Sequence, residues 1–308
     1  MKKKVRNIFN LFFGLVVVLA VFSCSKNTEA SLSEALEKGD ASSIEKIFDT
    51  IDEETLTKLT TENAAPESDF SYQLNRDETG VIITGYNGPG GLLIIPSTIE
   101  GYPVTRIEKL AFRENNSIKA VIIPNSVSGM GVGCFYMCTY LTAVLIPSKV
   151  SIIGAQAFFG CDSLSIIKIM PGVKKIGKQS FARCNALERV ILPESMEEVC
   201  KAAFDECENL IEVHLADTIK ILGTGVFLRC NNLQSVNLPK NLIDLGVGCF
   251  KGCSELSDLA IPDEITKIEG LNIGSTYFQG CGKLPIATRK RLKELGYNAN
   301  FNRYLRKR

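Results

Sequence analysis

His214 is the only histidine in the 308-residue chain, with Glu212 two positions before it. A hydroxyl nucleophile needs a base held by an orienting third group, so the one histidine-based triad available would join Glu212, His214 and Ser235. A pair of histidine metal ligands is impossible. Cys134 with Cys138, and Cys249 with Cys253, stand four apart around a phenylalanine, unlike the two-residue spacer of a zinc knuckle. Gly129-Met130-Gly131-Val132-Gly133 has the look of a dinucleotide loop, but the same slot recurs as Gly246-Val247-Gly248 and no strand-helix-strand frame surrounds it. Gly88 to Gly91 has no Lys-Ser or Lys-Thr after it and reads as a turn. His214 lies between Val213 and Leu215 at an outward strand position, where Glu212 and Ser235 also fall. Their closeness therefore comes from a lattice, and the reading is a non-enzymatic chain with no catalytic residue, cofactor or metal site.

The lattice is a repeat. Phe112, Phe135, Phe158, Phe181, Phe204, Phe227 and Phe250 are 23 residues apart. Cys138, Cys161, Cys184, Cys207, Cys230 and Cys253 follow them in register, with Asn115 in the first slot, and Ile118, Leu141, Leu164, Leu187, Leu210, Leu233 and Leu256 come three later. A further column runs Ile107, Met130, Ile153, Ile176, Val199, Leu222, Leu245 and Ile268. The unit reads Val-x-x-Ile-Gly-x-x-Ala-Phe-x-x-Cys-x-x-Leu-x-x-Val-x-Leu-Pro. Its last part alternates as a short strand does, apolar side chains inward and their neighbours outward. A fixed period of this length predicts a mainly β solenoid, one short strand per rung, with α+β character from its ends. At about 4.8 Å per rung, about eight rungs give a sheet roughly 40 Å long.

The unit resembles the BspA-like, or treponemal-type, leucine-rich repeat family from about Phe70 to Tyr297. The resemblance is specific for fold and much less so for function, because a solenoid supports many binding faces. It implies a surface protein that adheres to host matrix proteins or to other bacterial cells through a protein or glycan ligand. The alternative, from a different class, is a structural envelope or periplasmic scaffold that binds polysaccharide or another envelope protein.

Met1 to Ser23 pairs a basic start (Lys2, Lys3, Lys4, Arg6) with an apolar stretch from Ile8 to Phe22, as a secretory leader does. Val21-Phe22-Ser23-Cys24 resembles a bacterial lipobox, with Val21 and the bulky Phe22 departing from its commonest form. The resemblance implies lipidation, including palmitate, at Cys24 and tethering to the membrane; a plain leader cut elsewhere, for example after Ala30, is the other reading. A diacyl plus an amide-linked chain suffices for stable anchoring. The expected location is the bacterial envelope, at the outer membrane or cell surface. Subtracting the four leader cations from a formal charge of +1 leaves −3, which calls for no nucleic-acid partner. No small-molecule substrate is expected either.

Eleven cysteines in an exported chain would ordinarily suggest disulfides. Beyond Cys24 each one fills a repeat slot: Cys281 extends the column after phenylalanine, Cys134 and Cys249 replace alanine, and Cys200 replaces glycine. Rungs about 4.8 Å apart with parallel side chains do not suit disulfide geometry, so a buried ladder of free thiols is expected. The chain divides into a leader (1–23), a lipidated helical spacer and linker (24–69), an N-terminal hairpin cap (70–96), the array (97–284) and a basic C-terminal cap (285–308). In the spacer, Leu32, Leu36, Ile44, Ile47, Phe48, Ile51, Leu56 and Leu59 recur at helical spacing, as in a two-helix hairpin whose second member is capped by Asp40, Ser42 or Ser43. From Pro285, Ala287, Leu292 and Leu295 share a helix face and Gly296 stops it.

The surface left for recognition is the pair of outward residues on each strand. In order these are Ala120 and Ile122, Ala143 and Leu145, Ile166 and Lys168, Arg189 and Ile191, Glu212 and His214, Ser235 and Asn237, and Asp258 and Ala260. Ile122, Leu145, Ile166, Lys168, Arg189, Ile191, Glu212, His214 and Asn237 are the expected partner-binding face. Its apolar first rungs would form a patch of partner-binding size if exposed; β-branched strand preference or cover from the N-terminal segment would account for the same residues without a partner.

Overall fold

The computed structural model describes residues 27–266 and 276–301. Cys24, the leader, most of the register break from Glu269 to Thr276, and the terminal cations Arg303, Arg306, Lys307 and Arg308 lie outside them.

Each 23-residue unit forms one turn of a parallel β-solenoid. The seven rungs with outward pairs carry strands Ile118–Ile122, Ala143–Ile146, Ile166–Ile169, Arg189–Ile191, Glu212–His214, Ser235–Asn237 and Asp258–Ala260. A second line of two-residue strands runs through Ile152–Ile153, Lys175–Ile176, Glu198–Val199, Ile221–Leu222 and Asp244–Leu245 as one five-stranded sheet. Partners advance by one period, for example Val121↔Val144 and Val190↔Val213. The phenylalanines stack face to face, with centroids 4.6 Å apart between Phe112 and Phe135 and 5.7 Å apart between Phe204 and Phe227. All seven are buried. Each ring pair adds about 0.5–1.5 kcal/mol beyond its burial.

The cysteine column is buried and free of disulfides. It does more than fill space: each thiol donates to a main-chain carbonyl of the preceding rung, Cys138 to Phe112 at 3.0 Å and Cys230 to Phe204 at 3.1 Å. Ser180, in the alanine slot, likewise donates to Gly154 and Gly177 carbonyls at 2.8 Å. The glycine column answers to close approach. A Cβ on Gly177 would sit 2.6 Å from the Ile153 carbonyl oxygen.

Both ends of the ring stack are covered. Phe70–Leu74 and Val81–Tyr86 form an antiparallel hairpin whose Phe70 and Tyr86 lead into Phe112. At the far end Tyr297 meets Phe278 edge-on, at 5.3 Å. It follows a helix over Ile286–Glu294 that begins after Pro285, with Gly296 at φ 106° just beyond its end. Leu292 and Leu295 are buried there, whereas Ala287 is exposed and does not join that face.

The N-terminal segment differs most from expectation. Among the described residues it holds three α-helices: α1 over 27–38, α2 over Ala41–Thr50 and α3 over Glu53–Glu62. Gly39 takes φ +65° and lets the chain reverse. Asp40 caps α2 by accepting from the Ser43 amide at 3.1 Å, and Asp52 caps α3 through Thr55 at 2.8 Å. These helices are no free-standing spacer. They lie on the outward face of the first rungs, where Leu32, Leu36, Ile44, Phe48, Leu56 and Leu59 form a second core with Ile94, Ala120, Ile122, Ala143, Leu145 and Ile166.

Candidate binding face

The helices divide the expected face in two. Ile122 and Leu145 are fully buried and Ile166 is 8% exposed, all beneath this chain's own helices. They are therefore not a docking surface, and this corrects the sequence expectation. The reason is physical: outward columns of isoleucine, leucine and alanine gain more from an amphipathic helix than from water. The sequence carried a signal for it. Ala143-Val144-Leu145-Ile146 is an unbroken apolar run, the mark of a strand covered on both faces, whereas Arg189-Val190-Ile191 is not.

Lys168 stands at the boundary, its ammonium 2.9 Å from Asp49 on α2. Ser148 on the adjacent rung ties to Glu53 on α3 at 2.6 Å. Past that boundary the strand face is open. Ile191 is 55% exposed, and Arg189, His214, Asp258 and Ala260 are exposed beside it.

Polar contacts order this open half. Glu212 lies between two basic side chains, 2.6 Å from His214 Nε2 and 3.4 Å from Arg189 Nε. Asn237 is spent on the backbone, its Oδ1 accepting from the Leu215 amide at 3.0 Å and its Nδ2 donating to the Leu215 carbonyl at 2.8 Å. It shapes the face rather than offering its amide outward. Ser235 donates to Asp258 at 3.2 Å, not to His214. The Glu212 and His214 pair thus exists, but among the described residues no hydroxyl is held on it for nucleophilic attack. Among the described residues no group of three or more His, Cys, Asp or Glu side chains could hold a metal ion.

The structure also reveals a residue that sequence reasoning missed. Asp205 sits in a turn column that also holds Arg113, Tyr136, Phe159, Ala182, Leu228 and Lys251. Among the described residues its Oδ1 is buried with no hydrogen-bond partner. Burial, and then the Glu206 carboxylate, push it up to about 6, against the pull of Arg229 and Arg183. Glu206 accepts from Arg183 at 2.8 Å and from Arg229, so both guanidiniums are engaged. Only its being the one acid in a column with Arg113 and Lys251 hinted at this.

The profile described as BspA type leucine rich repeat region matches the chain in six copies, over residues 94–209 and 151–285. Two solved structures are similar over most of the chain. A leucine rich repeat protein of T. pallidum is 32% identical, with a TM-score of 0.59 over 77% of this chain and 98% of its own. A leucine rich cell surface protein of Faecalibacterium prausnitzii A2-165 is 26% identical, with a TM-score of 0.58 over 72% of this chain and 69% of its own. A search of curated proteins found no match.

Proposed function

This chain belongs to the BspA-type leucine-rich repeat family, and we propose on that footing that it is a lipid-anchored cell-surface protein that binds a macromolecular partner without catalysis. The observation that carries the reading is the divided strand face. One half is consumed by α1 to α3, while the other, from Arg189 to Ala260, remains an open sheet surface with ordered polar groups and an exposed Ile191. A rigid parallel ladder presenting such a surface is what solenoids use for recognition. The partner is a protein or glycan on host matrix or on another cell.

Anchoring through Cys24 fits this geometry. The helices that follow it run onto the solenoid, so a tether would hold the body close to the membrane. Among the described residues no helix is long and apolar enough to cross a membrane. The test is to express the chain and Cys24→Ala in a bacterium, label with radiolabelled palmitate, and add protease to intact cells. Label that depends on Cys24, together with removal by protease, is expected. A labelled but protected protein would favour an envelope scaffold, and an unlabelled one would defeat the anchor.

A further inference from the structure

The long-strand sheet is broken at one place. Ladders join Ile166–Ile169 back to Ala143–Ile146 and join Arg189–Ile191 forward to Glu212–His214, but among the described residues none joins Ile166–Ile169 to Arg189–Ile191. The second line of strands stays paired across the same two rungs, through Lys175↔Glu198 and Ile176↔Val199. The opening is thus a one-sided seam and not a break in the solenoid.

Pro124, Pro147, Pro193, Pro239 and Pro262 end their strands, and Met170 and Ala216 stand in the equivalent slot of the third and fifth rungs. The Met170 amide donates backward to the Ile146 carbonyl at 2.9 Å, while one slot earlier the Leu192 and Leu238 amides donate forward to the next rung at 3.0 and 2.8 Å. Met170 itself is buried against the helical cover. The third strand is thus tied to the second rung and to the helical cover.

The seam reaches the core. In the inward column Val121, Val144, Val190, Val213 and Val236 are buried, but Ile167 is half-buried. It lines a groove of about 620 Å³ together with Phe48 of α2, Ile169 and the exposed Ile191. Two carboxylates, Glu45 on α2 and Glu188, also line it, and neither has an ion pair among the described residues, whereas Lys168 and Arg189 are already matched to Asp49 and Glu212.

We infer that this seam is a docking site for an extended peptide segment of the partner, which sends an apolar side chain between the third and fourth strands to cover Ile167 and places a lysine or arginine against Glu45 and Glu188. The inference deepens the open-face reading and rests on it. Unladdered strand edges supply main-chain donors and acceptors to a peptide backbone. The opened core supplies the apolar pocket, and the unmatched carboxylates select the charge.

A phage-displayed library of random ten-residue peptides, panned on the whole mature chain, tests this. Retained peptides should pair an apolar residue with a nearby lysine or arginine. In fluorescence anisotropy their affinity should fall at least tenfold with Glu188→Lys and with Ile191→Asp, both at exposed positions that leave the fold intact by circular dichroism. It should hold with Ala260→Arg at the far end of the open face. Peptides that respond to Ala260→Arg and not to Glu188→Lys overturn the seam while supporting the wider face, and a library that retains no peptide also overturns the seam.

Discussion

At the scale of single residues, burial sets chemistry. The thiols of Cys138, Cys207 and Cys281 are pushed up to about 12 by burial, and the partly exposed Cys200 to about 11 by burial and the Glu198 carboxylate beside it. Thiolate is the reactive form, so in a Cys24→Ala background the folded protein should leave a thiol reagent such as DTNB nearly unreacted at pH 8, while urea should release all ten remaining cysteines. Several fast-reacting thiols without urea would contradict the buried column. Asp205 gives a second expectation with a definite sign. Its folded value, about 6, lies above the ordinary 3.8, so the folded state holds the proton more tightly and stability falls as pH rises between those values. Asp205→Asn should therefore be more stable than the parent at pH 7 and lose that advantage near pH 4, read as a shift in urea midpoint. An advantage independent of pH would show that the carboxyl is not the cause. The thiol column was legible because the period fixed its place and direction. Asp205 was not, because its burial depends on the turns of neighbouring rungs, which have no two-residue alternation to read.

At the scale of elements, the apolar periodicity of 32–59 was legible as helix, but not what the helices cover. Their partner is a stripe assembled from strands as distant in sequence as Ile166 is from Leu32, about which local pattern is silent until continuous apolar runs are read as double burial. Leu145→Glu places an unpaired charge in the second core and should cost about 3 kcal/mol or more. Because that core is separate from the phenylalanine stack, the loss should appear as faster amide exchange across 27–62, with the array from Phe112 to Phe250 still protected. Ile191→Glu, at an exposed position, should change stability by no more than about 0.5 kcal/mol. Equal destabilisation by both substitutions would mean that the helices do not distinguish the two halves of the face.

At the scale of the whole molecule, the solenoid, its period and both caps were written in the columns, because each unit contacts only its neighbours and repeats the same physics. The position of the open strand face was not, since it is decided by which half of the ladder the chain covers for itself. The most direct test puts a photo-crosslinking amino acid at Ile191, at His214 and at Leu145 in turn, in the full-length chain on intact cells exposed to matrix proteins and to other bacteria. The account predicts discrete crosslinked partner bands from positions 191 and 214, and only internal crosslinks to the helices from position 145. Partner bands from 145 with none from 191 or 214 would contradict it.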